Sequence, residues 1–171
     1  MRRSLILKFR GVIAAVGITL LSPQAIALEA PEGPVMLVVS GKVGQPNVGD
    51  EAHFDRAMLE VLVQHETTTR TPWYDGMTRF SGPLGRAILE AAGAEGENMR
   101  VVALNEYAAT IPVSDVEQYD VILAMQANGK VLRVRDQGPL FVIYPFDKHP
   151  ELLNEEIFSR SVWQVARIVV E

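Results

Sequence analysis

The sequence contains no cysteine among its 171 residues. Such a chain has no disulfides to rely on, so its apolar core must suffice. It also has no thiolate to offer a soft metal. Histidine is nearly as scarce: His53, His65 and His149 stand far apart, without the close spacing of metal-ligand pairs. Neither a Gly-x-Ser-x-Gly elbow nor a phosphate-cradling glycine loop occurs. The apolar run Gly11–Leu21 is too short to span a bilayer. Repeats and low-complexity segments are lacking as well.

What is present begins with a leader. Arg2, Arg3, Lys8 and Arg10 make a basic start, Gly11–Leu21 an apolar middle and Ala25-Ile26-Ala27 a small-residue cleavage site. That order is the pattern of a secretory signal peptide over residues 1–27. Residues 28–171 then suit one domain with one core. The leader takes four of the sixteen bases and none of the twenty-one acids, so residues 28–171 carry a net charge of −9. An acidic domain without a basic stripe argues against nucleic acid, against anionic membrane surfaces and against direct membrane insertion. The expected location is the periplasm.

The patterning predicts an α+β chain, mostly β, with seven or eight strands and two helices. Val35–Val43 reads as a buried strand and Gly44–Asp50 as a loop. Asp55 is placed to cap a helix, with Phe54 and Leu59 as a hydrophobic staple, and that helix is expected to end near His65 as a helix-end cation. Thr67–Thr71 is β-prone. Ser81-Gly82-Pro83 is expected to turn the chain into a second helix, with Pro83 in its first turn, Leu84, Ile88 and Ala91 inward and Gly93 ending it. Free backbone N–H groups around Gly82–Gly85 would then suit an anion or solvent. Arg100–Leu104 and Ala108–Val113 read as strands, and Ser114–Glu117 as a capping box. Tyr119–Ala127 and Lys130–Arg135 read as a hairpin turning on Asn128-Gly129. That would align Arg133 and Arg135 on one face. Leu140–Tyr144 is expected as a buried strand, residues 146–157 as a polar loop with a helical turn, and Val162–Val170 as the closing strand.

The chemistry concentrates in Thr67–Ala94. Trp73 and Tyr74 are expected on a turn between Pro72 and Asp75-Gly76, where large aromatics can wall a pocket for a flat ligand. Arg79 follows with a fork of donors. Trp73 and Phe80 would equally well cap the core. Asp75 and Glu106 are candidate bases, but neither has a second group to pair with, and a solvated loop carboxylate describes both.

Arg79-Phe80-Ser81-Gly82-Pro83-Leu84-Gly85, with the Leu and Ala-Gly positions after it, resembles the strand-turn-helix segment of sulfite-oxidase-type molybdopterin-binding domains, with the gap from Gly82 to Leu84 one residue shorter. Ala103-Leu104-Asn105-Glu106-Tyr107, Gly138-Pro139-Leu140 running to Pro145, and Trp163-Gln164-Val165 running to Ile168 stand in the family's order. The resemblance covers roughly Pro34–Glu171. It implies a sulfite-oxidase-like mixed sheet with a few short helices and a pterin or molybdopterin site. The family's enzymes ligate molybdenum through a cysteine thiolate, which would fall around Arg70–Trp73, where no thiol stands. What carries over is therefore a binding fold, with no metal expected. A reduced pterin would stack on Trp73, Tyr74 and Phe80. Asn105 and Glu106 would read its edge, Arg79 would hold a carbonyl oxygen, and Tyr107 would close one side. Similar stand-alone domains imply a non-catalytic role, with the periplasmic domain of an inner-membrane signalling protein, a diguanylate cyclase or sensor kinase, as partner. The alternative is a molybdopterin-dependent oxidoreductase or an accessory subunit of one.

Overall fold

A computed structural model describes residues 28–171, so the expected signal peptide lies outside the described residues. Strand β1 (Val35–Gly41) forms on the apolar run, with Leu37 and Val39 fully buried. The segment that follows holds a short strand the pattern did not show, β2 (Ala52–Asp55). Helix α1 (Arg56–Val61) starts from Asp55 as expected, the Met58 N–H donating to Asp55 Oδ1 at 2.9 Å. Phe54 and Leu59 are fully buried in the same apolar cluster, as a staple requires. The helix stops at Val61, well short of His65, because the β-branched threonines beyond it favour an extended chain. They form β3 (Gln64–Thr71), where His65 pairs with Gly82 and so ends no helix.

Strand β4 (Tyr74–Pro83) replaces two expected turns. The chain reverses over Pro72-Trp73 alone. Pairing then shifts: Thr71 faces Tyr74 but Arg70 faces Met77, which leaves Asp75 and Gly76 in a bulge. Ser81-Gly82-Pro83 continues the strand. A side chain at Gly82 would place its Cβ 2.1 Å from the Leu123 carbonyl oxygen, so the glycine admits a neighbouring backbone. Pro83 ends β4 and lies outside the first turn of α2 (Gly85–Ala91). Leu84 and Ile88 of the expected face are buried, Ala91 partly so, and Gly93 at φ +57° follows the helix as a left-handed terminator.

After β5 (Asn98–Ala103) and β6 (Ala108–Pro112), helix α3 (Val113–Gln118) begins directly. The Ser114 capping box does not form. The Val113 N–H donates to the Glu97 carbonyl at 2.9 Å and the helix starts two residues early, which puts Ser114 inside the first turn. The single strand expected over Tyr119–Ala127 is two, β7 (Ile122–Ala124) and β8 (Gln126–Ala127), broken at Met125, whose N–H turns to the Ser81 carbonyl at 2.8 Å. The Asn128-Gly129 turn is present, with φ of 50° and 74°. Its second strand, β9 (Lys130–Val131), is short, and a 3₁₀ turn over Val134–Asp136 takes Arg133 and Arg135 off any sheet face. Strand β10 (Phe141–Ile143) is fully buried, as expected. The polar loop after it condenses into a 3₁₀ turn and helix α4 (Glu155–Arg160), capped by Asn154 Oδ1 accepting the Ile157 N–H at 3.0 Å. Strand β11 (Val165–Val170) completes the chain.

The architecture is α+β and mostly β, as the pattern and the resemblance required. A five-stranded mixed sheet has the order β2-β1-β11-β5-β6, with the first and last strands parallel at its heart. A four-stranded sheet, β3-β4-β8-β9, and the pair β10-β7 stand beside it. One large apolar cluster joins the five-stranded sheet to α1, α2 and β10. A smaller one gathers Phe80, Leu84, Ile122, Phe141 and Ile143 under the second sheet. Trp73 packs against both.

Candidate functional site

The two-residue reversal between β3 and β4 delivers Trp73 to a cluster of rings. Its ring centre lies 5.3 Å from Phe141, 5.9 Å from Trp163 and 6.1 Å from Phe158, all edge to face. Against this cluster lies a cavity of about 320 Å³. Trp73, Phe158 and Trp163 give it aromatic walls; Ala103 and Val162 add aliphatic surface. Asn105, Tyr107, Ser159 and Ser161 bring the polar groups.

Those polar groups are already oriented. The Tyr107 hydroxyl donates to the Ser159 carbonyl at 2.9 Å, tying the loop between β5 and β6 to α4. Asn105 Oδ1 accepts the Tyr107 N–H at 3.1 Å, which leaves its amide N–H₂ turned to other work. Glu106 takes φ of 67° to close this tight turn. The Ser159 hydroxyl donates to the Glu156 carbonyl at 2.7 Å and the Ser161 hydroxyl to that of Ile157 at 3.0 Å. These hydroxyls are left as acceptors, and the Asn105 amide and the Trp73 and Trp163 indole N–H groups are the side-chain donors of the lining.

The expected site residues thus divide. Trp73, Asn105 and Tyr107 meet in this cavity. Tyr74, one peptide away, lines a different and more open hollow of about 600 Å³ with Lys130, Val131 and Arg133. Its hydroxyl donates to the Asp136 carbonyl at 3.3 Å, and burial, reinforced by the Asp136 charge, raises its pKa. Phe80 is wholly buried between Tyr74 and Phe141, at 5.2 and 6.3 Å, and lines neither hollow. Asp75 is exposed in the bulge. Arg79 points from the outer side of β4, its Nε 3.7 Å from Glu66 Oε2. Glu106 faces a shallow depression on the five-stranded sheet beside Met36 and Val38. The anion cradle around Gly82–Gly85 does not exist. Leu84 N–H donates to the Val63 carbonyl at 3.0 Å and Gly85 N–H to that of Val121 at 2.9 Å, so these donors are engaged.

Two polar ties hold the cavity walls. Asp147 Oδ2 accepts both the Thr69 hydroxyl, at 2.8 Å, and the Arg70 N–H, fixing the strand end that carries Trp73. The Arg70 N–H and the Thr69 hydroxyl hold the Asp147 carboxyl below its ordinary pKa. Behind α4, the Tyr144 hydroxyl donates to Asp115 Oδ2 at 2.8 Å, and Arg160 Nη1 donates to the same oxygen at 3.0 Å. Burial, then the Asp115 charge, pushes the Tyr144 phenol far up. Arg160 also pairs with Glu156 and is held by both carboxylates.

Sequence reasoning did not find Trp163, Ser159 and Ser161. Trp163 reads as a strand residue, yet it precedes β11 and bridges to Phe141. The serines lie in and just after a helix read as loop. No group of three or more histidine, aspartate or glutamate side chains suited to a metal occurs among the described residues. Nor is any described helix long and apolar enough to cross a membrane. Residues 51–146, more than half of the chain, match the family model of the oxidoreductase molybdopterin binding domain. No curated protein matches the chain.

Proposed function

The chain belongs to the oxidoreductase molybdopterin-binding domain family, of the sulfite-oxidase type, and we propose that it works as a non-catalytic binding protein for a reduced pterin. The observation that carries this reading is the Trp73 cavity: aromatic walls, about 320 Å³ of space and a few convergent polar groups. Those are the attributes of a site for a flat heterocycle. Trp73 and Trp163 supply ring faces and edges, and the Asn105 amide offers a donor to the pterin carbonyl. The serine and tyrosine oxygens accept from ring N–H groups, which are more numerous in the reduced form.

The residues do not fit a molybdenum-bearing group. The segment Arg70–Trp73, where the family's thiolate would fall, offers the Thr71 hydroxyl, which is buried and without a partner. A hard hydroxyl is a poor stand-in for a soft thiolate. Export to the periplasm, and relay of the loaded state to the periplasmic domain of an inner-membrane signalling protein, complete the proposal. The leader sequence supports the first and the resemblance to stand-alone domains the second.

The test is mass spectrometry and fluorescence of small molecules released from protein taken gently from its native host, with metal analysis of the same sample. A pterin without metal is the expected result. Stoichiometric molybdenum would overturn it in favour of the oxidoreductase reading, and protein that is empty and ignores added reduced pterins would overturn it outright.

A further inference from the structure

Resting on the pterin reading, we infer that the ligand of the Trp73 cavity carries no phosphate: it is an uncharged pterin bearing at most neutral substituents, unlike the phosphorylated molybdopterin the family is named for. Three observations converge on this. The first is charge. None of the described residues that line the cavity is a lysine or arginine. Arg160, whose neighbours Ser159 and Ser161 both line it, turns its guanidinium to Asp115 and Glu156. Lys130 and Arg133 line the other hollow. A phosphate dianion here would lose water and gain no cation, in a domain whose net charge is already −9.

The second is hydrogen-bond polarity. The hydroxyls of Tyr107, Ser159 and Ser161 donate to carbonyls of the protein itself, which leaves them only as acceptors for a ligand. A phosphate ester presents only acceptors and gains nothing from those three oxygens. A reduced pterin presents an amino group and ring N–H groups, which those lone pairs satisfy. The third is the backbone. The start of α2, which the sequence offered to an anion, does not line the cavity, and its Leu84 and Gly85 N–H groups are on the carbonyls of Val63 and Val121. The helix is seven residues long, and it offers nothing in compensation.

Calorimetric titration of the purified protein separates this inference from the reading beneath it. The probes are 6-hydroxymethyl-7,8-dihydropterin and its diphosphate ester, handled without oxygen. The alcohol should bind one to one and the diphosphate at least about tenfold more weakly, a difference near 1.4 kcal/mol. Ser159→Lys, which adds a cation at an exposed position on the rim, should narrow that ratio by about tenfold. A diphosphate that binds as tightly as the alcohol, or more so, would overturn the inference and leave the pterin reading standing. A ratio unmoved by Ser159→Lys would also count against it, since charge would then not be what discriminates. Binding of neither probe would overturn both.

Discussion

Trp73 and Tyr74 are joined by one peptide bond yet serve two different hollows. Trp73 enters a space walled by rings and lined by no charged side chain. Tyr74 enters an open one rimmed by Lys130, Arg133 and Asp136. The bulge at Asp75-Gly76 sets Tyr74 opposite Thr71 while Trp73 stays in the reversal, and so the pair divides. Closeness in sequence therefore says little about which pocket a side chain joins. The first hollow is walled by rings and lined by no charged side chain, whereas the second has the exposure of ordinary surface.

The strongest way to break this comparison is to remove the ring behind both. Phe141 is fully buried and touches Trp73 on one side and Phe80 on the other. Phe141→Ala should cost about 3–5 kcal/mol in urea unfolding; a loss under about 1 kcal/mol would mean the two clusters are not joined through it. Next, Trp73→Ala should weaken reduced-pterin binding by about ten- to a hundredfold, the range for stacking a base on an aromatic. Tyr74→Ala should leave it within about twofold. Equal losses from the two would erase the distinction between the hollows.

A third test addresses the tie that positions Trp73. Asp147→Asn should cost about 1–2 kcal/mol at neutral pH, modest because the carboxylate is partly exposed. The folded-state pKa is lowered, so this contribution is fully present above the unfolded value of about 3.9 and is lost as pH falls through the folded value beneath it. Melting curves of the two proteins should therefore differ at pH 7 and converge in strong acid; a gap that widens on acidification would refute the assignment. The smallest effect belongs to the second hollow. Arg133→Ala removes an exposed ion pair with Asp136 and should change stability by less than about 0.5 kcal/mol, with pterin binding unaltered in the same titration.

The sequence made some of this legible and hid the rest for physical reasons. Asp55, Phe54 and Leu59 announced a helix start because capping and stapling are local. The Asn128-Gly129 turn was equally local. Ser81-Gly82-Pro83 looked like a turn for the same residues that make it a strand, since only the distant Leu123 carbonyl explains the glycine. In the site, Trp73, Asn105 and Tyr107 were readable as candidates. Arg79, Glu106 and Phe80 were not separable from them, because which face of a strand or turn meets a cavity depends on partners far along the chain. Trp163, Ser159 and Ser161 were invisible as site residues, for Trp163 reaches the cavity through long-range packing against Phe141 and Trp73, and the serines lie in and just after a helix that the pattern did not show.

Gly82 has one more meaning. A methyl group there would collide with the Leu123 carbonyl, as one at Gly138 would with that of Leu132. These two glycines stand in the very motifs by which the chain resembles its family, and both answer to a close approach of neighbouring backbone. A signature composed of such positions transmits architecture and is silent about cargo. Descendants of this fold could exchange metal cofactor for free heterocycle without altering a letter of it, so the occupant has to be read from the residues between the motifs.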